Sequence, residues 1–248
     1  MSIAEKFEVI ADEVYEVGKQ AMNEAWWKVK TANFTRKGYD YGFTGEDFTY
    51  VGGFNPPIQI KPQGYSSRIF HGAKGLGEIT ADKLDLSLCT TMDFMFASVD
   101  TPRIELIDTR NSQTVKNTFN ENSYTITVDK FILKEDGSQT FGIGTFGTCY
   151  KLTNITFEGI IGNDIWFTYC GWLTRDSMLG KLATAEQIAD GKNLFTVNGS
   201  TYYGGIFGAL KTFAAGSNTC TIQLHTTPKA LLSDAEKQAV ANKGWTIT

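Results

Sequence analysis

Apolar residues open the chain at Ile3, Phe7, Ile10, Val14, Val17 and Ala21, in alternating steps of four and three, with Glu, Lys, Asp and Gln filling most positions between them. That spacing keeps one stripe of a helix apolar and predicts an amphipathic helix over residues 1–30, started by a capping box of Ser2 and Glu5. Two uses of the stripe stay open. It could close the end of the domain that follows, or it could pair with copies of itself along an oligomerisation seam of Ile3, Phe7, Ile10, Val14 and Val17. Glu24 takes the next core position, which leaves the seam shorter than the three to four heptads of a convincing coiled coil.

From Thr31 the pattern changes. Residues 31–66 form an aromatic, turn-rich segment in which FTYV and IQIK read as short extended pieces, joined by turns at Gly52-Gly53 and Asn55-Pro56-Pro57. Tyr39, Tyr41, Phe43, Phe48, Tyr50 and Phe54 crowd together there. Near-alternate aromatics fit the inward face of a strand layer; the other reading is an exposed platform for stacking on sugar rings or on a partner. On the second reading Tyr39, Tyr41 and Tyr50, with Tyr202 and Tyr203 further on, form a candidate binding surface.

Between residues 67 and 173 the chain repeats itself when each unit is aligned on a phenylalanine. The segments IFHGAKGLGEI, MFASVDTPRIELI, TFNENSYTITVDKFIL, TFGTCYKLTNITF and WFTYCGWLTRDSM carry structural anchors Phe70, Phe96, Phe119, Phe146 and Phe167, spaced by 26, 23, 27 and 21 residues. A period of that size lies in the range of leucine-rich repeats, whose units bury their apolar faces only by stacking. Ile104 with Leu106, Val128 with Ile132, and Ile155 with Phe157 are then expected to point inward. The expected fold is α+β and β-rich: an N-terminal amphipathic helix, an irregular leucine-rich-repeat-like solenoid, and a mixed helix/strand C-terminal cap.

The cap, residues 174–248, mixes signals. A helix is expected from about Ser177 to Ala189, capped by Thr174 or Asp176 and closed by Gly191. NLFTVNGSTYY reads as a hairpin turning at Asn198-Gly199. A helical piece over 203–214 leads past Gly216 to an alternating strand, Thr219–His225. Ser233 with Glu236 is a second capping box, opening a helix to Asn242, with Gly244 after it and a closing strand at Trp245–Thr248.

Composition narrows the function classes. A net charge of −4 and the lack of any basic run argue against a nucleic-acid partner. No stretch has the length of a membrane span or of a signal peptide's apolar block, so the chain is expected to be made in a bacterial cytoplasm without membrane insertion. Cys89, Cys149, Cys170 and Cys220 lack zinc-site spacing and read as reduced, buried fillers, with a Cys149–Cys170 bridge as the second reading. His71 and His225, the two histidines, stand apart from other metal ligands. Motifs of nucleophile elbows, P-loops, zincins and dinucleotide folds are absent; GIGTFG at Gly142–Gly147 is better explained as a tight corner. Glu46-Asp47 and Asp164 read as solvated loop carboxylates. No catalytic residue, cofactor or metal site is expected.

At KLTNITFEGIIGNDIWF, at LTRDSM and at LLSDAEKQAVANKGWTIT the chain resembles the BspA-like leucine-rich-repeat proteins of gut Firmicutes and their phages and prophages. The resemblance implies a non-enzymatic virion structural protein of the tail, baseplate or a fibre that contacts other virion proteins and a host-surface glycan or protein. On the seam reading of the first helix a homo-oligomer is expected, a trimer by preference. The alternative is a bacterial surface adhesin or carbohydrate-binding module. The chain departs from the pattern by an insert at about 179–202, which serves either as a binding face or as a neutral embellishment.

Overall fold

The computed structural model describes residues 3–34, 42–122, 124–142, 144–214 and 220–248, with the side chains of 3–8, 11 and 31–34 outside the description. Tyr39, Tyr41, Ser2, Gly216 and Thr219 lie outside the described residues, as do the side chains of Ile3, Glu5 and Phe7.

The fold is α+β. Helix α1 (Ile3–Phe34) leads into a run of short parallel strands: β1 (Gly64–Tyr65) pairs with β2 (Cys89–Thr91), and β3 (Arg103–Asp108), β4 (Thr127–Ile132) and β5 (Asn154–Glu158) form a second sheet in chain order. Isolated parallel bridges, among them Ile79 to Ile104 and Thr91 through Thr114 to Thr140, extend the same register between the strands. After β6 (Ile165–Phe167) come α2 (Arg175–Leu179), β7 (Gly180–Leu182), α3 (Ala185–Asp190), β8 (Leu194–Val197), β9 (Ser200–Gly204) and α4 (Ile206–Ala209). The chain closes with β10 (Cys220–Leu224), α5 (Thr226–Ala230), α6 (Asp234–Asn242) and β11 (Trp245–Ile247). A parallel sheet in the order β11-β10-β6 ties this end to residues 165–167, while β7, β9 and β8 form a separate antiparallel sheet.

A column of phenylalanine rings runs through the core. Phe70, Phe96, Phe119, Phe146 and Phe167 stack face to face at 5.3, 5.7, 5.4 and 4.9 Å, and Phe43 adds a sixth ring at 5.4 Å from Phe70. The backbone sets this spacing. The N–H groups of Phe43, Phe70, Phe96 and Phe119 donate to Ile69, Met95, Thr118 and Thr145, each the residue just before the next phenylalanine, at 2.8 to 3.1 Å. A parallel ladder places its strands about 5 Å apart, so rings at equivalent positions must stack. The corners that hold the rings are left-handed on both sides: Arg68 and Gly72 flank Phe70, Phe94 and Ser98 flank Phe96, and Asn117 and Glu121 flank Phe119, all with φ between 54° and 68°.

At the corners of Phe119, Phe146 and Phe167, the side chain three residues after the phenylalanine is polar or sulfur-bearing and links the corner to the one before. Asn122 Nδ2 donates to Phe96 O at 3.2 Å, Cys149 Sγ to Phe119 O at 3.5 Å and Cys170 Sγ to Phe146 O at 3.1 Å. Cys149 and Cys170 are therefore buried thiols and not a bridge, and Cys89 and Cys220 are free as well. Burial pushes the Cys89 thiol up to about 11 and raises Cys149 and Cys220 too.

Several sequence expectations are corrected. FTYV is a 3-10 helix, not an extended piece: the Asp47 carboxylate accepts from Thr49 N–H at 2.9 Å, and Gly52, at φ 76°, ends the turn. Local capping overrides β propensity there. Leu106 and Ile132 are not core residues; Ile107 and Phe131 take their places, because the β4–β5 register shifts between Val128 and Phe131 and the inward step becomes three. The helix expected over Ser177–Ala189 is two helices. Gly180, at φ 94°, separates them, and a Cβ there would lie 2.2 Å from Tyr203 O, so β7 can pair closely with β9. The expected helix over 203–214 shrinks to α4, since Tyr203 belongs to β9. The Asn198-Gly199 hairpin forms, with φ of 51° and 77°.

Candidate interaction surfaces

Among the described side chains, helix α1 meets the body only through its C-terminal half. Trp27 is buried, packs edge-on against Trp26 at 4.8 Å, and sits with Phe43, Phe48 and Phe54 at 5.6 to 6.0 Å. Lys30 pairs with Glu46, and Asn23 reaches Val51 O at 3.5 Å. Every side chain from Asp12 to Met22 is exposed, including Val14 at 66% and Val17 at 68%. Ile10 is exposed as well. The seam residues that are described thus do not cover the body; the tryptophans do. The helix has 32 residues, about 48 Å at 1.5 Å each.

Among the described tyrosines of the candidate binding surface, Tyr50 and the pair Tyr202 and Tyr203 lie on separate elements. Tyr50 is 83% exposed beside the first phenylalanine corner. Tyr202 and Tyr203 are half-buried on β9, where they pair with Leu182 and Lys181 of β7. Phe48 and Phe54, from the same aromatic segment as Tyr50, are core. The insert folds as the antiparallel β7-β9-β8 sheet with α3, and a groove of about 390 Å³ lined by Asn154, Thr156, Lys181 and Tyr203 separates it from β5.

The titratable side chains serve the fold. His225 caps α5, its Nδ1 accepting from Thr227 N–H at 3.2 Å. Asp164 accepts from Thr221 N–H at 2.6 Å. Glu236 is almost wholly buried; that burial would raise its pKa, but the Ser233 capping bonds and Arg175 together hold it below the usual carboxylate range. Lys243 lines a cleft of about 410 Å³ beside α4, donating to Phe207 O at 2.8 Å and Gly208 O at 3.2 Å. Burial pulls its amine down to about 8. No group of three or more metal-ligating side chains occurs among the described residues.

One feature was missed by sequence reasoning: exposed aromatics at three successive corners, Tyr124, then Tyr150, then Tyr169 with Trp172. Their signal was present, since each follows a phenylalanine anchor by two to five residues.

Comparison with known proteins finds no family model, no curated protein and no solved structure that matches this chain. Among the described residues, no helix is long and apolar enough to cross a membrane.

Proposed function

We propose that this protein is a non-enzymatic structural component of a phage or prophage virion, of the tail, baseplate or a fibre, and that it assembles through its N-terminal helix. On this reading the body is an irregular leucine-rich-repeat-like solenoid of the BspA-like group, closed by the mixed C-terminal cap. The parallel register and the phenylalanine column support the solenoid. The observation that carries the assembly reading is the exposed heptad stripe of α1. Most helical stability in proteins comes from packing an amphipathic face, and the exposed half of α1 has no such packing on the body. A stripe in steps of four and three fits a second copy of the same helix. Steps of three lead from a to d, so Ile3, Ile10 and Val17 occupy d; β-branched residues there disfavour two strands, and three copies are the expected number.

Sedimentation equilibrium of the full chain tests this. The wild type should have the mass of an oligomer, a trimer by preference, and Val14→Glu with Val17→Glu should have that of a monomer with an unchanged melting temperature. A monomeric wild type at high micromolar concentration would refute assembly through the helix. Incorporation into particles from a lysate of producing cells, detected by mass spectrometry of purified virions, tests the virion assignment; absence from them points to the adhesin reading.

A further inference from the structure

We infer that the outer surface of the corners at Tyr124, Tyr150, Tyr169 and Trp172 is a binding site for an oligosaccharide chain. The geometry begins with the ladder. Tyr124, Lys151 and Trp172 occupy equivalent positions, each one residue before a buried Thr or Leu that leads into the next element, so they lie on one side of successive corners. Lys151 Nζ rests over the Tyr124 ring at 5.2 Å, and Tyr150 meets Tyr169 edge to face at 6.1 Å. Tyr150, Tyr169, Gly171, Trp172, His225 and Thr227 enclose a shallow cleft of about 310 Å³. Its floor is open because Gly171 has no side chain: a Cβ there would lie 3.2 Å from the His225 ring.

Three properties select a sugar chain. Exposed aromatic faces stack on the C–H faces of pyranose rings, and corners about 5 Å apart give a spacing comparable to one sugar residue. Hydrogen-bonding groups border the rings. Because His225 Nδ1 accepts from Thr227 N–H, a neutral ring carries its proton on Nε2, a donor alongside the Tyr150 and Tyr169 hydroxyls and the Trp172 indole. The cleft is lined by aromatic rings and hydrogen-bonding groups and holds no carboxylate, a combination that fits a neutral or acidic saccharide. Trp172 is 60% exposed.

The inference does not require self-association, because the corners lie on the body and not on α1. Titration of the full chain with chitotetraose, cellotetraose and tetragalacturonate, followed by tryptophan fluorescence and calorimetry, tests it. At least one should bind with a dissociation constant in the millimolar range or tighter. Trp172→Ala and Tyr169→Ala should weaken that binding at least tenfold without changing the melting temperature, and Trp172→Tyr should restore most of it. The monomeric Val14→Glu, Val17→Glu variant should bind like wild type, so failure of assembly and failure of this site are distinguishable. The proposal falls if none of the three saccharides binds, if the alanine variants bind equally well, or if the chain captures deglycosylated envelope protein but no saccharide.

Discussion

Replacing Phe146 by Ala tests whether the ring column carries the fold. The side chain is fully buried and touches four rings: Phe119 and Phe167 stacked at 5.4 and 4.9 Å, and Phe131 and Phe157 edge-on or tilted at 5.9 and 6.1 Å. Phe→Ala in a core costs about 3–5 kcal/mol in transfer and cavity terms. Aromatic pairs add about 0.5–1.5 kcal/mol beyond area, and the rigid ladder on both sides limits collapse, so the expected loss is at the upper end, about 4–5 kcal/mol. That is a third or more of the total stability of an ordinary domain. Urea unfolding followed by circular dichroism reads it directly. Phe119→Ala should cost a similar amount, and because the two rings touch, the double variant should depart from additivity by about 0.5 kcal/mol or more. A loss below about 1.5 kcal/mol, or strict additivity, would refute the column as a cooperative element.

Ser98→Gly and Glu121→Gly should each stabilise by up to about 1 kcal/mol in the same assay. The left-handed strain at φ 54° and 56° exceeds the entropy glycine adds to the unfolded chain, and a lower urea midpoint would contradict this. The Cys89 thiol should contribute a fall in stability as pH rises from about 9 to about 11, read as the difference between wild type and Cys89→Ala because Lys243 opposes it over part of that window. The Cys89 thiol is raised from 9.0 to about 11, so the unfolded chain releases its proton first and the stability present below pH 9 is lost across that window. Cys89→Ala should flatten the fall. Lys243 acts with the opposite sign: its amine is lowered from 10.5 to about 8, the unfolded chain keeps the proton longer, and stability is gained from about pH 8 upward. A Lys243→Met variant that still showed that gain would disprove the assignment. Gly162→Ala should destabilise, because its Cβ would lie 2.2 Å from Gly137 O.

Periodicity made the long elements legible. The first helix, the Asn198-Gly199 hairpin and the α6 capping box each follow from chemistry confined to a few neighbouring residues. What failed was decided by distant backbone. Gly180 splits a helix because Tyr203 O approaches it, and nothing near Gly180 in sequence says so. Leu106 and Ile132 were misplaced because alternation holds only while a strand is regular, and the Val128–Phe131 shift breaks it. Phe43 joined the column unannounced, since its segment reads as aromatic-rich throughout and the rings that face inward, Phe43, Phe48 and Phe54, are not distinguished by spacing from Tyr50.

The corner geometry also explains where a binding surface can sit. With the phenylalanine fixed inward and the residue three places on committed to the preceding carbonyl, the next one or two positions have no inward direction left before the chain enters its strand. Side chains there are displayed outward whatever their type, and a polar residue would satisfy the fold at no cost, as Lys151 does. Tyr124, Tyr150 and Trp172 stand at those positions and leave half or more of their surface in solvent. Folding therefore accounts for the phenylalanine at each corner but not for the aromatic that follows it. The same ladder that spaces the core rings spaces the outer ones, and a chain ligand with a matching repeat can engage several corners at once while each contact alone stays weak.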